Sequence, residues 1–201
     1  MNERKPFREE GRNARIYPLA RIISPENMIL GSNLIIDDFV FLGAHRRLLI
    51  GNHVHIASHA SITGGGDCVV CDYVNISSGA RVFSGTDDFG GGGLAGPTIP
   101  AEFRKVTRGR VILGRHAIVG ANAVVLPNVV IGEGATIGAG AVVTRDLAPW
   151  GIYVGAPARR IQERPRETIL RFESELLARQ GPYPRTFSGA ECLEFIPEAA
   201  G

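Results

Sequence analysis

The chain has 201 residues, 44% of them hydrophobic and 21% charged, which is enough for one domain with a real core. Its net charge of +2 excludes a general attraction to nucleic acid. No apolar run approaches the roughly 18 residues of a membrane span, and the opening MNERKPFREEGRNAR lacks the apolar core of a signal peptide. The expectation is a cytoplasmic protein.

Residues 1–28, with Pro18 and Pro25, read as an irregular N-terminal cap over one end of a repeat region. From Leu30 an aliphatic residue recurs every six positions: Leu30, Ile36 and Leu42, then Ile50, Ile56 and Ile62, then Val70, Ile76 and Val82. Each group of three begins twenty residues after the last. Eighteen of these make three hexads, and the extra two fall near 44–49 and 64–69, recurring as bulges at one corner.

Between Val82 and Leu113 the period breaks. FSGTDDFGGGGLAGPTIPAEFRKVTRGRVI holds a Gly run and two prolines, so residues 84–111 must leave the repeat and return. A loop of that length on a rigid scaffold is usually functional.

The hexads then resume without interruption: LGRHAI, VGANAV, VLPNVV, IGEGAT, IGAGAV and VTRDLA. Openers Leu113, Val119, Val125, Ile131, Ile137 and Val143 are each followed four places on by Ala117, Ala123, Val129, Ala135, Ala141 and Leu147. A hexapeptide period of this kind is a β-helix repeat, in which three short strands close one triangular coil. The expected fold is an all-β solenoid, a parallel β-helix of about five coils over 29–161. Residues 162–201 carry a C-terminal helix and tail: 165–180 place Ile169, Phe172 and Leu176 on one face, with Leu170 and Leu177 beside it, and Gly181 stops the helix. Cys68, Cys71 and Cys192 make no disulfide framework and read as small buried fillers, and no metal is expected.

The stretch IGEGATIGAGAVVTRDLAPWGIYVGAPARRI resembles the closing signature of the hexapeptide acyltransferases, and residues 29–162 follow that family's pattern. YVNISSGARVFSGTDDF with GPTIPAEFRKVTRG looks most like the polysaccharide-cluster members, among them enzymes that acetylate the amine of GDP-perosamine for O-antigen biosynthesis. The resemblance implies a left-handed helix, a homotrimer with sites between subunits, acetyl-CoA as co-substrate and a sugar or nucleotide sugar as partner. It places acetyl-CoA along Gly120, Ala121, Gly138 and Ala139. Thr144, Arg145, Pro157, Arg159 and Arg160 lie toward its phosphates, where guanidinium forks bind well.

Family members that acylate a hydroxyl carry a catalytic His leading into the long loop. Here that place reads Gly85-Thr86-Asp87-Asp88. A hydroxyl needs a general base and an amine needs one less, so the substitution favours N-acetylation, with O-acetylation the alternative. Asp87 and Asp88 become candidates to hold the amine or to assist in removing its proton, and His116, opening the first coil after the loop, is the best alternative base. Asn75, Ser77, Ser78 and Phe83 are candidates for the acceptor, and Phe83, Phe89 and Phe103 for stacking on a base. No residue of the loop is an obvious covalent nucleophile, so transfer is expected to be direct. A zinc hydratase of the same fold would need a pair of His five apart, whereas His55 and His59 are four apart. A non-catalytic scaffold would lack the Thr-Arg-Asp and Gly-Ala-Pro-Ala-Arg elements present here.

Overall fold

The computed structural model describes residues 6–195. Its strands are two to five residues long and stack in parallel ladders on three faces. The first face runs through Glu9–Glu10, Met28–Leu30, Leu48–Ile50, Asp67–Val70, Arg110–Leu113 and Val129–Ile131. Register pairs Leu30 with Ile50, Ile50 with Val70, Val70 with Leu113 and Leu113 with Ile131, so every hexad opener lies over its counterpart. On the second face Ile36, Ile56, Ile76, Val119 and Ile137 stack likewise, and on the third Leu42, Ile62, Val82, Val125 and Val143. All these openers are buried, as are the residues four places on in the late coils, including Ala117, Ala123, Ala135 and Ala141. Two apolar residues per hexad point inward, and each aliphatic opener so buried contributes ~1.5–3 kcal/mol.

The solenoid has about seven coils rather than five. Residues assigned to an irregular cap form coil 1: Glu10 pairs with Leu30, Ile16 with Ile36 and Ile22 with Leu42. At the other end Leu147 bridges Ile131, and Gly151–Val154 pairs with Thr136–Ile137 to begin coil 7. Arg159–Glu163 then folds back antiparallel on Gly151–Val154 and closes that edge. Coils 2 to 6 are the five that the hexads mark.

Stacking also explains a glycine. A Cβ on Gly120 would lie 2.5 Å from the Ile137 carbonyl oxygen and 2.7 Å from the Ala139 nitrogen, both in the coil above. Gly120 is small because the coils touch, whatever else lies on that edge. Gly120→Ala is therefore expected to lower the unfolding free energy by about 1–3 kcal/mol through overpacking, read as an earlier denaturant midpoint.

The first face is buried on both sides. Ile29, Leu49, Val69 and Ile112 point out of the coil into a second apolar cluster completed by Cys71, Phe187 and Cys192. Cys68 lies in the main core, where burial pushes its thiol up to about 12, and all three cysteines are free and buried. The tail is tied down by a polar ladder. Asn52 donates its backbone N–H (2.6 Å) and side-chain amide (2.9 Å) to Asp72, Phe187 donates its N–H to the other Asp72 oxygen (3.1 Å), and Asn52 also donates to the Arg185 carbonyl (2.8 Å).

Helix α1, Glu167–Gln180, ends at Gly181, whose N–H reaches the Leu177 carbonyl at 2.8 Å. The side it lays on the solenoid is Ile169, Glu173, Leu176 and Leu177, all half-buried. Leu170 and Phe172 face outward, the latter 54% exposed. The expected apolar face is therefore rotated, because a buried carboxylate occupies its centre.

Candidate active site

Each coil turns three corners, and several corner residues adopt the left-handed backbone that is costly for a side chain with a Cβ. On the first corner these are Asn13, Asn33, His53, Tyr73, His116 and Trp150. Their side chains form a column. His53 stacks on Tyr73 (5.2 Å between centroids) and Tyr73 on His116 (4.9 Å), with Trp150 beyond (6.2 Å). Helix α1 covers it: His116 Nε2 lies 2.7 Å from Glu173, and Arg115 pairs with the other oxygen of the same carboxylate. Arg164 donates to the carbonyls of His116 (2.8 Å) and Gly134 (3.0 Å).

The fold carries His116 away from the loop whose neighbourhood made it the candidate base. It sits on a different corner from the loop, 7% exposed, with its ring sandwiched and Nε2 engaged. Burial, then Arg115 and Arg164, hold its pKa down to about 4. Glu173 would favour a charged ring, but Arg115 shares that carboxylate, so the imidazole stays neutral and donates Nε2–H. The unfolded chain takes up this proton near the ordinary 6.5 and the folded chain only near 4. The stabilisation is therefore complete above 6.5 and falls as pH drops toward 4. His116→Asn, which keeps a residue tolerant of the left-handed corner, should flatten the loss of stability between those values. Equal acid sensitivity of variant and parent would contradict this.

The loop leaves from the third corner. Gly85–Asp87 pairs antiparallel with Val106–Arg108, making a hairpin whose far part is held by its own bonds. Asp88 N–H reaches the Lys105 carbonyl (2.9 Å) and Leu94 N–H the Phe103 carbonyl (2.8 Å). Asp87 accepts from Arg104 at 2.6 Å with one oxygen and from the Gly96 N–H at 3.1 Å with the other. Asp88 accepts from the Gly92 N–H. The Arg104 bond first, for Asp87, and the Gly92 bond first, for Asp88, hold both carboxyls below the usual carboxylate range, so both are anionic at neutral pH. Asp87 has a guanidinium partner. Asp88 makes no ion pair among the described residues, although the Lys105 ammonium lies near enough to help lower its pKa. Phe89 is 93% exposed and Phe103 exposed on this arm, while Phe83 is half-buried on the third face against Thr63.

The second corner is the open edge. Ser77 and Ser78 in coil 4 follow Asn75 on the second face. Gly120 and Ala121 take their places in coil 5, and Gly138 and Ala139 in coil 6, with Ser77 N–H on the Val119 carbonyl and Gly120 N–H on the Ile137 carbonyl. The side chains of Asn75, Ser77 and Ser78 make no hydrogen bond among the described residues. Ser32, Asn52 and Asp72 on the first corner are instead fully used in the polar ladder. Thr144 and Arg145 follow the third face of coil 6. The turn at Gly155–Ala158, with a cis bond before Pro157, lies beside Val142 and leads directly to Arg159 and Arg160. All four side chains are exposed. The residues expected to hold the CoA phosphates therefore gather at the C-terminal end of the solenoid.

Three groups escaped the sequence reading: Glu173, which fixes α1; Arg104, which fixes Asp87; and the ring pair of Phe39 and His59 on the second corner. Glu173 was visible only as a lone acid on an apolar helix face.

Comparison with known proteins bears on this edge. Residues 110–145 match the family model of the bacterial transferase hexapeptide with six repeats. An Escherichia coli protein, dTDP-4-amino-4,6-dideoxy-D-glucose acyltransferase, is 37% identical over 169 residues, covering 84% of this chain and 88% of its own. AntD, an N-acyltransferase from Bacillus cereus, solved with dTDP and 3-hydroxybutyryl-CoA, superposes with a TM-score of 0.83 at 41% identity over 88% of this chain and 93% of its own. The same protein has been solved with dTDP-4-amino-4,6-dideoxyglucose and coenzyme A. The acetyltransferase domain of Neisseria gonorrhoeae PglB shares the fold at 20% identity and a TM-score of 0.55, covering 73% of this chain and 56% of its own. The strong likenesses are thus to proteins of dTDP-linked sugars rather than GDP-perosamine, and to acyl rather than specifically acetyl transfer. On the identity and coverage of these relatives the chain belongs to the hexapeptide-repeat acyltransferases, in the branch of acyl-CoA-dependent sugar N-acyltransferases.

Proposed function

We propose that the chain transfers an acyl group from acyl-CoA to the amine of a dTDP-linked 4-amino-4,6-dideoxy sugar, in sites shared between copies of a homotrimer. The observation that carries this is the open edge itself. Unengaged Asn75, Ser77 and Ser78 lie one coil from the bare backbone at Gly120 and Ala121, and no imidazole stands at the root of the loop. The relatives bind dTDP, its 4-amino sugar and CoA compounds, which supports the same partners here.

Within one chain the strand Arg81–Phe83 separates Ser78 from the loop, and among the described residues the arm carrying Asp88 hydrogen-bonds only to itself beyond its root. An arm so built reaches a neighbour's edge more readily than its own. The solved forms of the B. cereus protein include variants of one serine and of one aspartate ten residues further on. Ser78 and Asp88 have that separation, as do Ser77 and Asp87. Asp87 has both oxygens committed to the loop, so Asp88 is assigned to the sugar ammonium and Asp87 to holding the arm.

In this mechanism Asp88, anionic at neutral pH, attracts and orients the ammonium, which gives its first proton to solvent. The neutral nitrogen attacks the thioester carbonyl, and the oxyanion is stabilised by hydrogen-bond donors on the edge. The C–S bond breaks, and the departing CoA thiolate takes the second proton from the nitrogen. CoA release with a dTDP-linked 4-amino sugar and with its 4-hydroxy counterpart tests the reading. Turnover of the amine alone is expected, with acetyl-CoA and 3-hydroxybutyryl-CoA compared as donors. Turnover of the hydroxyl compound would overturn N-acylation.

A further inference from the structure

The column of left-handed residues on the second corner begins with two aromatic rings that the reaction above leaves unused. Phe39 in coil 2 has φ 64° and His59 in coil 3 has φ 62°. Their rings stack at 5.1 Å with 7° between planes. On the first corner the equivalent rings are sealed beneath α1 and the tail. On the second, Phe39 is 55% exposed and His59 is exposed. A bulky side chain in a left-handed backbone is costly, and among the described residues the one ring contact that Phe39 makes is this stack.

We propose that Phe39 and His59 form the platform on which the base of the nucleotide-linked substrate stacks. This rests on the nucleotide-sugar reading above and adds residues to it. The order of groups along the edge carries the argument. The bare backbone for CoA lies in coils 5 and 6, and the sugar-facing serines lie in coil 4. The amine must meet the thioester between them, so the diphosphate and nucleoside extend the other way, toward coils 3 and 2. At about 4.8 Å per coil, His59 and Phe39 lie roughly 5 and 10 Å beyond Ser78. That matches the reach of an extended diphosphate and ribose.

The charges fit as well. Arg81, on the third face of coil 4, anchors one guanidinium nitrogen on the His59 carbonyl. This fixes a cation between the serines and the stacked rings, where a diphosphate would pass. Two carboxylates stand at this corner before Phe39: Asp37 is paired with His55 at 3.0 Å, and Asp38 accepts the Leu19 N–H at 2.8 Å, on the side of coil 1 and away from the path of the diphosphate. Stacking tolerates any base, so the platform supplies affinity for the nucleotide, and discrimination between bases must come from elsewhere.

The test is calorimetric binding of dTDP to the full chain and to Phe39→Asn. Asn removes the ring and suits the left-handed backbone, so folding is preserved. The expected result is a Kd for dTDP raised about tenfold or more, with CoA affinity and mass by light scattering unchanged. Phe39→Tyr should restore dTDP binding. Affinity within twofold of the parent in Phe39→Asn would overturn the platform while leaving the nucleotide-sugar reading intact. A joint loss of assembly and of both ligands would overturn it too, by showing that the ring is a contact between copies. A parent chain that turns over acyl-CoA with another acceptor but does not bind dTDP would overturn the nucleotide reading and the platform together.

Discussion

Asp88→Asn is expected to lower kcat for the amino sugar by about 10²-fold or more, the scale of a misplaced reacting group, while CoA binding stays as in the parent. The reason is local. Asp88 is kept anionic by backbone N–H groups, the Gly92 bond foremost, with the Lys105 ammonium nearby but in no ion pair with it among the described residues, so its oxygens are available to an ammonium. Asn preserves the acceptor oxygen that the Gly92 N–H uses, so the turn survives and the charge alone is lost. Asp87→Asn should behave differently. It breaks the pair with Arg104 at 2.6 Å and loosens the arm, raising KM at least as much as it lowers kcat. If Asp88→Asn turned over normally while Asp87→Asn did not, the two roles would be reversed.

Asp72→Ala is expected to have the largest effect on stability, a loss of roughly 3–5 kcal/mol. This side chain is 2% exposed and accepts from two donors of Asn52 and from the Phe187 N–H. Removing it strands three buried donors at once. It also releases the segment that seals the outer side of the first face, so trypsin should cut after Arg185 in the variant before the solenoid unfolds. Asp72→Asn keeps one acceptor and should cost less, about 1–2 kcal/mol. A variant that unfolds within about 1 kcal/mol of the parent with an uncut tail would show that the apolar cluster around Phe187 suffices to hold it.

The solenoid was legible because its core obeys a period. Openers and the residues four places on must both face inward, and that constraint writes itself into the sequence. Coil 1 was hidden because its first opener position is Glu10, at the solvent-facing end of the stack, and because Pro18 and Pro25 suggest irregular structure. Yet Ile16 and Ile22 stand twenty residues before Ile36 and Leu42, and that step was there to be read. The covered first face also had a signal: MIL, LLI and VIL are apolar at three successive positions, as strands buried on both sides are.

The site was legible in residue types and not in placement. Asn75, Ser77 and Ser78 lie on the open edge with the glycines of the later coils, as the repeat register implies. His116 follows the loop closely in sequence, yet one strand of the first face, Arg110–Leu113, carries it to the next corner and beneath α1. Corner positions with left-handed backbone decide which side chains stack, and no period in the sequence marks them.

The division of the site between one copy's edge and another's arm is tested most directly by mixing two inactive variants, Ser78→Ala and Asp88→Asn, through joint refolding. If each site takes Ser78 from one copy and Asp88 from its neighbour, random assembly restores about a quarter of parental turnover. If both residues serve the same site within one chain, every mixed assembly stays as inactive as its components, and the shared site is wrong.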